Sequence, residues 1–341
     1  MLIILTIVVG GFFGDEGKGK IVAYLSLADS VAVAVRCGAI NAGHTVTLNG
    51  RTWKLRAIPS AFVNRNTRLM IAPGTLIRLD ILFKEIEETG ARGRVFIDSN
   101  TGVIEQRHVE AERRDAHLSG KVGSTLQGVG AAMADRVLRR LKLAREFEEL
   151  KEMITDVPAE VNEALSKGLN VLVEGTQGTY LSLYHGTYPY VTSRDTTASA
   201  FASEVGVGPK NVDEVLVVFK AYVTRVGGGP LEGELTPEEA RRRGWDEVAT
   251  VTGRRRRAAP FNMKLAKRAV MLNTATQAAV TKLDVLYPEA SGVREWSKLP
   301  YEARKWIEEV ESEIKVPVTL IGTGPDASQV IDRRKDLGIL R

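Results

Sequence analysis

The chain of 341 residues is 44% hydrophobic and 26% charged, with Lys+Arg 47 against Asp+Glu 42 for a net charge of +5. That is the make-up of a soluble globular protein with a sizeable core. Its one cysteine, Cys37, excludes an intramolecular disulfide and any cysteine-cluster metal site, and no apolar stretch reaches the roughly 18 residues of a membrane span. So small a positive surplus suits anionic small substrates as well as nucleic acid and does not choose between them.

Residues 2–9 form a short apolar run rich in β-branched side chains and closed by Gly10-Gly11, which suits a central parallel strand better than a helix. The run lacks a basic leader and a small-residue cleavage site, so it reads as a strand and not as a signal peptide, and a cytoplasmic protein is expected. Phe12-Phe13-Gly14-Asp15-Glu16-Gly17-Lys18-Gly19-Lys20 follows, then Ile21-Val22-Ala23-Tyr24-Leu25, which can begin a helix. Strand, glycine-rich turn, lysine and helix start together make a backbone cradle for phosphates. The loop departs from G-x-x-x-x-G-K-[ST]. The interval from Gly11 to Gly17 is one residue too long, and Gly19 stands where a Mg²⁺-binding hydroxyl would be. The Asp15-Glu16 pair would repel phosphate unless a metal or a protonation role accounts for it.

Further strands are expected at residues 31–35, 69–72, 95–98, 170–174, 215–226 and 278–286, with a hairpin turning at Asn49-Gly50. Leu79 to Thr89 has helical periodicity and is closed by Gly90. Residues 131–143 and the charged stretch 145–165 also read as helical, and Thr236-Pro237 as a helix start. Strands separated by helices argue for an α/β fold on a mostly parallel sheet flanked by helices, related to the P-loop NTPases. The length allows two domains, but no repeat, low-complexity tract or linker divides the chain, and a single domain over residues 1–341 is expected.

Several segments carry chemistry of their own. Asn41-Ala42-Gly43-His44-Thr45 is turn-rich, and taken alone its histidine reads as hydrogen-bonded to backbone. Residues 123–130 form a second glycine-rich loop before a helix that bears Arg139-Arg140, an exposed face if taken alone. Thr252-Gly253-Arg254-Arg255-Arg256-Arg257 suits carboxylates, which arginine forks bind in bidentate fashion; four adjacent side chains cannot all face one ligand, which leaves alternate ones such as Arg254 and Arg256. Thr281-Lys282-Leu283-Asp284 ends a strand. An Asp carboxylate there can accept both the N1–H and the exocyclic amine of guanine, a pair of donors adenine lacks.

Gly14-Asp15-Glu16-Gly17-Lys18-Gly19-Lys20 resembles the N-terminal signature of the adenylosuccinate synthetase family, GTP-dependent ligases that join IMP to aspartate. Asn41-Ala42-Gly43-His44-Thr45, the 123–130 loop, Glu-Gly-x-Gln-Gly at residues 174–178, His-Gly-Thr-Tyr-Pro-x-Val-Thr-Ser at 185–193, Lys-Ala-Tyr-x-Thr-Arg-Val-Gly at 220–227 and Thr-Lys-x-Asp at 281–284 follow in the family's order. The chain is similar to the family's short, archaeal-type members. Ala258-Ala259-Pro260-Phe261-Asn262 departs from the usual Gly-Trp-Phe/Leu-Asp.

The resemblance implies Asp15 and His44 as catalytic residues. It implies GTP contacts by Gly14, Glu16, Gly17, Lys18, Gly19, Lys282, Asp284, Gly322 and Gly324. IMP would meet Asp15, Asn41, Ala42, Gly43, Thr125, Gln177 and Thr192, and Arg139 from the neighbouring subunit of a homodimer. L-Aspartate would be held by Thr252, Gly253, Arg254 and Arg256, and Mg²⁺ by Asp15 and Gly43. Neither nucleic acid nor a membrane is implied as a partner. Two other classes share parts of this pattern. A GTPase switch would hydrolyse GTP without IMP or aspartate, and a non-catalytic nucleotide binder would form no ligation product.

Overall fold

A computed structural model describes residues 5–249, 251 and 253–340. Residues 2–4 of the first apolar run lie outside the described residues; its remainder becomes β1 (Leu5–Gly10), which passes through the glycine-rich loop into α1 (Lys18–Ala28). Then come β2 (Val33–Arg36), the hairpin of β3 (His44–Leu48) and β4 (Arg51–Leu55), β5 (Arg68–Ile71), β6 (Leu76–Ile77), α2 (Leu79–Thr89), β7 (Val95–Asp98), β8 (Gly102–Val103), α3 (Gln106–Arg114) and α4 (Val129–Val137). After β9 (Ile154–Thr155) follow α5 (Val157–Ser166), β10 (Val171–Glu174), α6 (Ala198–Val205), β11 (Glu214–Lys220), β12 (Tyr222–Arg225) and α7 (Pro237–Arg242). β13 (Arg257–Pro260), α8 (Met263–Asn273), β14 (Gln277–Thr281), α9 (Leu283–Leu286), α10 (Tyr301–Ile314), β15 (Val318–Gly322) and β16 (Val330–Asp332) complete the chain.

Among the described residues, ten strands make one sheet in the order β16-β15-β14-β11-β1-β10-β2-β5-β7-β9. Every neighbouring pair is parallel except β15–β16. Strand alternation sends successive side chains to opposite faces, and both faces are covered. Leu5, Ile7 and Val9 pack into one apolar cluster with Val171, Val173, Val215 and Val217, beneath α6 and α8. Val8, Leu172, Leu216 and Val218 pack into the other, against Ile21, Val22 and Leu25 of α1. Because the central strands run one way, Gly10, Arg36, Glu174, Lys220 and Thr281 all lie at the same edge of the sheet. In parallel α/β sheets that edge is where ligands bind.

Helix α2 ends as its sequence demands, with Gly90 at φ 62 and its N–H returned to Glu87 O. The hairpin turn places Asn49 at φ 51 and Gly50 at φ 77, the two left-handed residues of a type I′ turn. Four expectations are corrected. The stretch expected as one strand over 215–226 breaks at Ala221: β11 stays in the sheet, while β12 pairs antiparallel with β13. The break follows its neighbour, since β14 stops at Thr281 where Lys282 turns left-handed at φ 62, leaving no partner beyond Lys220. The same turn ends the strand expected to run to residue 286. Residues 145–165 are not one helix; 3₁₀ turns and β9 precede α5, whose start is fixed by the Asp156 side chain accepting from Ala159 N (2.9 Å) and by Pro158 in its first turn. Helix α4 stops at Val137, because Arg139 is left-handed (φ 59) and the Arg140 N–H turns back to Asp135 O at 2.8 Å.

Candidate functional site

The first loop separates its two acids. Glu16 turns inward and is fully buried. Its Oε1 accepts from the N–H groups of Phe12 and Gly14, both at 2.8 Å, and its Oε2 faces Lys18 Nζ at 3.0 Å. Lys18 is 1% exposed and also donates to the Gln177 carbonyl, so its ammonium does not face the cleft. Thr281 Oγ1 donates to Glu16 O at 2.6 Å, tying the loop to the end of β14. A Cβ on Gly19 would meet His44 Cβ at 2.9 Å and Ser60 Oγ at 3.1 Å. The hydroxyl-bearing residue of the usual motif is absent here because the histidine segment packs on that spot. Gly17, at φ 83, caps the start of α1.

Asp15 turns the other way, into an open cleft that it shares with Gly14, Asn41, Ala42, Gly43, Thr125, Gln177, Thr192, Arg254 and Arg256. Three donors converge on one of its oxygens, Oδ2: the Thr224 hydroxyl, Arg256 Nη1 at 3.1 Å and Lys220 Nζ at 3.4 Å. Glu247 ties these cations together, 2.9 Å from Lys220 and 2.6 Å from Arg256, and accepts from Tyr222 Oη. Arg254 Nη1 donates to Gly123 O at 2.8 Å and so braces the second glycine-rich loop. Gly253 is not part of the cleft lining, and Thr252 lies outside the described residues. Arg139 is exposed beyond the end of α4, away from the cleft of its own chain, beside Val137 (68% exposed) and Leu138 (55%).

His44 sits at the start of β3, buried beside Gly19. Its Nδ1 meets both Arg36 Nη1 and Glu174 Oε1. The Glu174 carboxylate is fully buried and further held by Arg36 Nη1, Ser60 Oγ and Ser60 N, each at 2.6 Å. Burial, reinforced by the Arg36 charge, pulls the His44 pKa down to about 3 despite the carboxylate. Burial alone would raise the pKa of Glu174; Arg36 and His44 reverse that and hold it at about 2. His44 Nε2 is buried and has no hydrogen-bond partner among the described residues.

At the far end of the loop, Lys282, Asp284, Gly322 and Gly324 gather around Lys20. Lys20 Nζ donates to the Gly324 carbonyl and to Gln329 O (2.7 Å), and a Cβ on Gly322 would stand 3.2 Å from it. Burial lowers the Lys20 pKa to about 8, opposed by Asp284 and Asp326. Asp284 Oδ1 is another buried acceptor without a partner among the described residues. Among the described residues no group of three His, Cys, Asp or Glu could hold a metal. A donor set of Asp15 and the Gly43 carbonyl fits a hard cation that takes one or two protein oxygens and completes its shell with phosphates and water, as Mg²⁺ does.

The residues missing from the sequence-based site are the supports: Lys220, Thr224 and Glu247 around Asp15, Arg36, Glu174 and Ser60 around His44, and Lys20 near Asp284. Lys220, Thr224 and Glu174 stand inside motifs visible in the sequence, but nothing in their spacing says which group each would touch.

The adenylosuccinate synthetase family profile matches residues 7–146 and 141–289. Adenylosuccinate synthetase of Archaeoglobus fulgidus is 50% identical over 332 residues, covering 97% of this chain and 98% of its own. That of Methanocaldococcus jannaschii is 49% identical over 341 residues, covering 99% of each. The structure of fully ligated adenylosuccinate synthetase from Plasmodium falciparum superposes with a TM-score of 0.90 at 25% identity, over 96% of this chain and 99% of that one. A cyanophage S-2L succinoaminodeoxyadenylate synthetase shares the fold at a TM-score of 0.78 and 23% identity, over 99% and 98%.

Proposed function

This chain belongs to the adenylosuccinate synthetase family, and from that premise we propose how its residues divide the joining of IMP to L-aspartate, driven by GTP with Mg²⁺, in purine nucleotide biosynthesis. The 6-oxo group of IMP is a poor leaving group until it is phosphorylated. Asp15, one of whose oxygens is shared by three donors, accepts the proton from N1 of the base. The negative charge moves to O6, which attacks the γ-phosphorus of GTP while the β–γ bridging bond breaks and GDP leaves. Asp15 and Gly43 would hold Mg²⁺, which offsets phosphate charge when bound. The amine of aspartate then attacks C6 of 6-phosphoryl-IMP, the C6–O bond breaks, and phosphate departs.

His44 donates to the phosphate oxygen at the β–γ bridge. Nε2 is the ring nitrogen that would reach it, since Nδ1 is occupied by Arg36 and Glu174. Thr125, Thr192, Asn41, Ala42, Gly43 and Gln177 receive IMP. Arg254 and Arg256, with Thr252 and Gly253, receive aspartate. The loop from Gly14 to Gly19 takes the phosphates of GTP through its backbone, with Lys18 and Glu16 supporting it from beneath. Lys282, Asp284, Gly322 and Gly324 take guanine, and the unpartnered Asp284 Oδ1 favours GTP over ATP. The enzyme works as a cytoplasmic homodimer; the exposed Val137-Leu138-Arg139 corner is where one subunit would carry Arg139 to the IMP of the next.

The observation that carries this reading is the opposite fate of the two loop acids: Glu16 is sealed inside and Asp15 stands in the cleft. An absorbance assay with IMP, aspartate, GTP and Mg²⁺, each omitted in turn, tests it. Succinylated purine should form only with all four. GTP hydrolysis without IMP and aspartate would identify a GTPase instead.

A further inference from the structure

The second glycine-rich loop feeds α4, a helix long enough to carry a full N-terminal dipole, and such a terminus ordinarily receives a phosphate. Here it is already filled. The N–H groups of Gly128 and Gly130 donate to the two oxygens of one carboxylate, Glu112, at 2.7 and 2.6 Å. Glu112 reaches in from the last turn of α3, is 3% exposed, and has no ion pair with a cation among the described residues. It nevertheless forms part of the cleft wall, together with Ser124, Thr125, Val129 and Gly130.

Resting on the assignment of Thr125 to the 5′-phosphate of IMP, we propose that Glu112 is a specificity-determining residue that restricts the site to nucleoside monophosphates. A first phosphate on the loop hydroxyls finds donors. A second, extending the chain, would need the amides at the start of α4 and meets a carboxylate in their place. Adding negative charge beside a buried carboxylate that no cation pairs among the described residues is unfavourable, and rejecting a competitor by placed repulsion is a common route to specificity.

The test compares IMP with inosine 5′-diphosphate as substrate, as a ratio of kcat/KM values. Wild type should prefer IMP by at least about 100-fold, and Glu112→Gln should lower that ratio at least tenfold, while Glu112→Asp, which keeps the charge, should preserve the preference. An unchanged ratio in Glu112→Gln overturns the proposal. Should that variant not fold, wild type supplies a second measurement: inhibition by inosine 5′-diphosphate against its terminal methyl ester, which is longer but carries one charge fewer. Tighter binding of the ester supports repulsion by Glu112; equal or weaker binding assigns the exclusion to size and removes the proposal. If wild type makes no product from IMP at all, the reading of the active site fails first and separately.

Discussion

The two glycine-rich loops begin alike and differ in what they leave uncovered. In each, a glutamate side chain occupies backbone amides that look made for phosphate. In the first the acid belongs to the loop: Glu16 takes the amides of Phe12 and Gly14 and is neutralised by Lys18, with both side chains at 1% exposure or less. In the second the acid comes from α3: Glu112 takes the amides of Gly128 and Gly130 at the cleft wall and has no ion-pair partner among the described residues. The side chains left facing the cleft are Asp15 in one loop and Thr125 in the other.

Substitutions break this comparison in order of size. Asp15→Ala should cost the most activity, about 10²–10⁴-fold in kcat, the usual contribution of a general base, with unchanged far-UV circular dichroism; a rate near wild type would refute its role. Glu16→Gln keeps an acceptor for the amides but strands Lys18 as a buried cation, so unfolding in denaturant should show a loss of about 3 kcal/mol. Glu112→Gln strands no cation. It should lose about 1–2 kcal/mol, the cost of one mismatched buried hydrogen bond. Equal losses at the two positions would mean that Lys18 has no part in what separates the loops.

What the sequence made legible was local. The run ending at Gly10-Gly11, the helix from Leu79 to Gly90 and the Asn49-Gly50 turn each carry their own signal in a few adjacent residues, and each formed as expected. The break at Ala221 did not, because it is decided by a left-handed residue, Lys282, just past the end of another strand. The charged stretch 145–165 has composition suited to helix but its start is fixed only at Asp156. In the site, the motifs brought Asp15, Asn41, Thr125, Gln177, Thr192, Arg254 and Arg256 to one cleft. Their partners were hidden for a physical reason: Arg36 and Glu174 are 138 residues apart and meet only because β2 and β10 pair in register.

That buried pair gives the last and smallest way to separate the loops, by acid. His44 packs under Gly19 of the first loop, and its pKa in the fold, about 3, lies below its ordinary value of 6.5. Between those values the unfolded chain binds a proton that the folded chain refuses, so stability falls as pH falls. Glu174, at about 2 against an ordinary 4.5, acts with the same sign in a lower window. From pH 6.5 to 5.5 the histidine alone should remove about 1 kcal/mol, measured by urea unfolding at the two pH values, and His44→Asn should flatten that slope. An equally steep slope in His44→Asn would place the acid-sensitive group elsewhere and leave the first loop no more acid-labile than the second.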